Sequence, residues 1–122
     1  MKYIRPYKKL EVYTVGKEQV LHVYELLKKF PKEEQFALSD QLRRAVISVP
    51  SNIAEGSGRH SSKEQVHFLE IAYGSLREVE CQLDIACELG YMTTKELETV
   101  IEKADQLGAM IMGLRKRHLE NQ

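Results

Sequence analysis

The sequence has only two cysteines, Cys81 and Cys87, six positions apart in one helical pattern. Six residues turn a helix through about 600°, so the two thiols point about 120° apart. That suits neither a disulfide within the helix nor a zinc site, and the expectation is two buried, reduced thiols. Long apolar runs are absent, so no segment can span a bilayer and no membrane partner is expected. The basic start, "MKYIRPYKKL", lacks the apolar stretch of a secretory signal, which makes the cytoplasm the expected compartment. Net charge is also absent: 18 Lys and Arg face 18 Asp and Glu. A chain of this balance is no bulk polyanion binder, and any nucleic-acid contact must come from a local basic face.

What is present is helical periodicity. Leu69, Ala72, Leu76, Val79, Leu83, Ala86 and Gly90 alternate steps of three and four, an unbroken apolar seam. Leu97, Val100, Ala104, Leu107, Ile111 and Leu114 repeat it, Leu42, Val46, Val49 and Ile53 form a third seam, and Val20, Val23 or Tyr24, and Leu27 mark a fourth. Pro31 breaks the pattern after "KKF", with Ser39 the expected N-cap of the next helix. Ser61 with Glu64, Ser62 with Gln65, and Thr93 with Glu96 read as capping boxes, and Gly90 as a C-terminal stop. These signals predict one domain over residues 1–122, with helices at about 10–30, 33–57, 61–90 and 94–118. Short connections make neighbours antiparallel, so the fold class is all-α, an up-down four-helix bundle. Phe68, Ile71, Ile85, Ile101, Met110 and Met112 lie off the seams, an excess that predicts contact between copies of the chain.

Candidate chemistry is sparse. "EGSGRHSS" follows a helix and lacks the lysine of a phosphate-binding loop, so Gly56 and Gly58 read as a helix exit through positive φ. Pro50 reads as a kink, Gly74 as a point of close helix approach, and Glu55 with Arg77 as an ion pair across the corner. "EQVH" supplies Glu64 and His67, one half of a di-iron motif whose second half is missing, so no metal is expected. No catalytic set, cofactor or small-molecule substrate is indicated. The basic residues that offer nucleic-acid contact are Arg43 and Arg44, Arg59 and Lys63, and Arg115, Lys116 and Arg117. Ser61 and Ser62 would present the start of the third helix to a phosphate. Lys8 and Lys9 add to this set, with Tyr7 and Tyr13 near for stacking.

"RRAVISVPSNIAEGSGR" together with "FLEIAYGSLREVECQLDIACELGY" resembles the four-helix-bundle proteins encoded in intervening sequences of bacterial 23S rRNA genes. That family includes the accessory variability proteins of diversity-generating retroelements. The likeness runs from the first helix through Leu114, and "YELLKKFPKEEQFALSDQLRRA" follows the family's passage from helix one to helix two. It implies a ring-like homopentamer without enzyme activity. For the retroelement members it implies binding to nucleic acid and to a reverse transcriptase through a basic surface; for the intervening-sequence members the gene context implies association with RNA. The neutral balance here departs from the strongly basic retroelement proteins and favours the intervening-sequence branch. The expected function is therefore an oligomeric, non-catalytic module that associates with RNA. The alternatives are a protein-interaction scaffold and a retroelement accessory protein.

Overall fold

The computed structural model describes residues 5–121. A 3₁₀ turn at Pro6–Lys9 leads into α1 (Glu11–Leu27), and a second at Lys32–Glu34 precedes α2 (Leu38–Ser57). α3 (Ser62–Glu88) and α4 (Thr94–Glu120) follow, and there is no strand among the described residues. α1 packs on α2, α2 on α3, α3 on α4, and α4 returns to α1, which closes an all-α bundle of four helices. The seams of α2 and α3 are buried as their spacing requires, and α4 buries Val100, Ala104, Leu107 and Ile111.

The seam of α1 differs from its sequence reading. Val12, Gly16, Gln19, Val23 and Leu26 are the buried residues of α1, and Phe30 just beyond it continues the same steps of four and three. A glycine and a glutamine occupy two of these places, so the apolar pattern is broken where the burial is not. Gln19 is only 6% exposed, and neither its amide nitrogen nor its oxygen has a hydrogen-bond partner. It divides the interior. One apolar cluster holds Val23, Val46, Val79 and Val100; the other holds Val12, Val49, Leu76 and Ala104. On α4 the first group ends at Val100, which shares a pocket wall with Gln19, and the second begins at Ala104.

The start of α2 is also corrected. Pro31 opens the Lys32–Glu34 turn, and the helix begins at Leu38 rather than near residue 33. Ser39 is buried and does not cap; the Glu34 carboxylate accepts from the Leu38 N–H at 3.3 Å instead. α3 is capped by Ser61, whose hydroxyl accepts from Glu64 N–H, without the reciprocal bond of a full box. The Thr93–Glu96 box is complete. Gly90 adopts φ +84°. Its N–H reaches the Cys87 carbonyl and that of Tyr91 reaches Ala86, the paired bonds of a Schellman stop.

The other glycines act by closeness. Gly58 has φ −90° and Gly56 is helical, so neither uses positive φ. A Cβ at Gly56 would stand 2.9 Å from Phe68 Cβ, so its absence lets α3 approach α2. Gly16 faces Pro50 in the same way, with a built Cβ at 3.4 Å. Pro50 is thus buried against α1, where the missing side chain makes room. Gly74, expected at a close approach, has nothing within 4 Å. Beside Pro50, the Asn52 amide donates to the Ser48 carbonyl at 2.8 Å and to the Ser48 hydroxyl at 2.9 Å, and that hydroxyl pairs with Ser75 across α2 and α3.

Candidate nucleic-acid interface

The antiparallel order carries the Pro6–Lys9 turn and the last turns of α4 to one end of the bundle. The Pro6–Lys9 turn, the α2–α3 turn and the last turns of α4 meet there, as the wall shared by Pro6, Ser57, Gln65 and His118 shows. Arg5, Lys8, Lys9, Arg59, Lys63, Arg115, Lys116 and Arg117 therefore share this end. Glu78, Glu80, Asp84, Glu88, Glu96, Glu98 and Glu102 fall on the opposite half of α3 and α4. On α4 the placement suits the macrodipole, with Glu96 in the first turn and Arg117 and His118 in the last; on α3 it runs the other way, from Lys63 to Glu88.

The candidate cations are not equally available. Arg59 donates to Glu55 at 2.8 Å, approaches Glu64 at 3.8 Å and lies 4.8 Å from the centre of the Phe68 ring. Its carbonyl accepts from Gln65 Nε2 at 2.9 Å. This side chain locks the corner, and Glu55 pairs with it rather than with Arg77, which joins Glu80 at 3.0 Å. Arg115 places Nε and Nη2 on one oxygen of Glu70, at 2.9 and 2.7 Å. Lys63, Lys116 and Arg117 are exposed, and none of them pairs with a carboxylate among the described residues. Ser61 is committed to its cap, and Ser62 opens the first turn of α3.

Arg43 and Arg44 are not part of this end. They lie near the start of α2, about 24 Å along the helix from Arg59. Asp40 pairs with Arg44 at 3.1 Å and approaches Arg43 at 3.7 Å. Arg43 also donates to the Gln35 carbonyl at 2.7 Å. Tyr7 and Tyr13 pack edge to face, centroids 4.8 Å apart, with the Lys17 ammonium 5.7 Å from the Tyr13 ring. They line an open groove with Ile47, Pro50 and Ala54. This aromatic ledge leads away from the cationic end along α1 and α2.

Three further titratable groups are shifted by their surroundings. Burial, then the nearby Lys103 ammonium, lowers the pKa of His22, against the pull of Glu96. The Lys29 ammonium, which pairs with Glu96 at the far end, holds that carboxyl below its usual range, aided by the Thr93 backbone. The Tyr91 hydroxyl donates to Glu34 at 2.8 Å, which raises its pKa. Among the described residues no cluster of three or more His, Cys, Asp or Glu can hold a metal ion. Cys81 is exposed, contrary to the expectation of two buried thiols, and Cys87 is partly buried. No described helix is long and apolar enough to cross a membrane.

Among solved structures, the chain is similar to a protein of unknown function from the S23 ribosomal protein family of Bacteroides thetaiotaomicron, at 23% identity and a TM-score of 0.79. The match covers 86% of this chain and 95% of that one, and it carries the fold alone. No curated protein matches. The family model for 23S rRNA-intervening sequence proteins matches residues 8–113. With most of its length inside that match, the chain belongs to the family of 23S rRNA-intervening sequence proteins.

Proposed function

We propose that this chain is a non-catalytic binding protein that associates with RNA through the cationic end of its bundle and acts as a homo-oligomer. The observation that supports this reading is a local excess of charge: a chain with no net charge sets eight Lys and Arg at one end of the bundle against Glu11, Glu55, Glu64, Glu70 and Glu120. Phosphate contact is sequence-independent and needs cations free of carboxylates. Lys63, Lys116 and Arg117 meet that need, Arg59 and Arg115 shape the surface between them, and Ser61 and Ser62 present the start of α3. Arg43 and Arg44 are a second contact for a ligand long enough to reach them.

The outer face of α3 supports assembly. Ile71, Ile85 and Leu89 are exposed along it together with Cys81. Gly74 lies among them with open space where a side chain would be. A helix from another copy fits such a face, and the family's ring-like homopentamer would present the cationic end five times, so weak contacts act together.

The test is a titration of a structured RNA hairpin against salt. Changing Lys63, Lys116 and Arg117 together to Glu should weaken binding at least tenfold and lower the salt slope by roughly two to three. Arg43→Glu with Arg44→Glu should cost less. Unchanged affinity in the triple variant would sink the RNA reading; in that case a partner retrieved after nuclease treatment points to the protein-scaffold alternative. For assembly, Ile85→Glu should reduce the mass measured by light scattering while leaving the helical circular dichroism intact.

A further inference from the structure

The cationic end encloses a cavity of about 250 Å³. Ile53, Leu69 and Leu114 give it apolar walls, Ser57, Gln65 and His118 add polar groups, and no carboxylate lines it. We propose that this cavity is a nucleotide site: one unpaired base enters it while the attached phosphate stays outside, in the field of the cationic end, with Arg117 beside the mouth. This rests on the RNA reading above and adds to it a slot for a single base.

Three features select this occupant. The first is size. The cavity is smaller than the roughly 300–1,000 Å³ that encloses a drug-sized molecule, which suits one flat ring system. The second is the polar edge. The Gln65 amide is held by its Nε2 bond to the Arg59 carbonyl, and the Ser57 hydroxyl donates to the Ala54 carbonyl at 2.7 Å. Gln65 Oε1 and Ser57 Oγ therefore remain as acceptors, which pair with ring or exocyclic N–H groups. A hydrocarbon chain would leave both unpartnered, at a cost of about 1–3 kcal/mol for each one that is buried. The third is charge. Arg117 stands exposed next to the lining residue His118 in the last turn of α4, so a cation flanks the mouth for an anion tethered to the buried group. Ordinary phosphate recognition needs no such cavity; a base with its phosphate uses both.

The experiment compares two hexamer strands of abasic ribose-phosphate, one carrying a single adenine and one carrying none. Wild-type protein should bind the adenine strand at least fivefold more tightly. Leu114→Trp, which fills the cavity, should abolish that difference and keep the affinity for the bare strand. Equal binding of both strands by wild-type protein overturns the base slot and leaves the RNA reading standing; binding of neither strand also overturns the base slot, and the hairpin titration above decides the RNA reading. If Leu114→Trp does not fold, the wild-type comparison of the two strands decides alone. A calorimetric titration with AMP against ribose 5-phosphate identifies the source. Binding of AMP alone supports a slot open to free nucleotides. Failure of both, with the adenine strand bound, supports a slot that takes its base from RNA.

Discussion

Gln19 holds a place that its neighbours in the α1 seam would give to a leucine or valine. Burying two amide atoms without partners costs about 1–3 kcal/mol. Gln19→Met keeps the length of the side chain and removes both orphans. It should therefore raise stability in urea unfolding by about 1–3 kcal/mol. The glycines give an opposed pair. Gly56→Ala meets Phe68 at 2.9 Å; overpacking of this kind costs about 1–3 kcal/mol, more than the helix propensity gained. Gly113→Ala meets nothing within 4 Å and should gain up to about 1 kcal/mol. If both substitutions behave alike, the close approach of α2 and α3 at Gly56 is not what fixes that residue. His22 adds a pH term. Its folded pKa is lowered, so the unfolded chain takes up a proton first as pH falls. The stability it supports is complete above the unfolded value of about 6.5 and is lost as pH drops from there through the folded pKa. His22→Gln should flatten that part of the melting-temperature profile.

At the scale of the helix, capping and periodicity do most of the work, and both are local in sequence. That is why α3 and α4, with long regular seams and side-chain caps at Ser61 and Thr93, were legible before the fold was known. Thr93→Ala should cost about 1 kcal/mol of stability, measurable by thermal melting, because it removes one bond of the reciprocal box. The start of α2 was not legible, since its first free N–H is served by Glu34 from a separate turn. The α1 seam was hidden by Gly16 and Gln19, whose burial depends on Pro50 and on the partner helices. The candidate interface was legible as a set of residue types and not as a place. Arg59, Lys63 and Arg115–Arg117 come together only because the chain reverses three times, whereas Arg43 and Arg44 are closer in sequence to Arg59 yet point to another part of the bundle. The cavity beside His118 draws on residues from both ends of the chain and had no sequence signal at all.

At the scale of the molecule, the interior is two apolar halves, with Gln19 between Val12 of one and Val23 of the other along α1. Substitutions on either side of that level should act independently. Val46→Ala and Ile111→Val should each destabilise, Ile111→Val by about 1 kcal/mol, and the double variant should match their sum within about 0.5 kcal/mol in urea unfolding. A larger coupling would mean that Gln19 transmits strain between the halves. The uneven spread of charge has a consequence at the bench. At neutral pH and low ionic strength, a protein with no net charge would ordinarily pass through an ion exchanger; this one should be retained both by a sulfonate resin, gripped at the end that holds the Pro6–Lys9 turn, and by a quaternary-amine resin, gripped along the far half of α3 and α4.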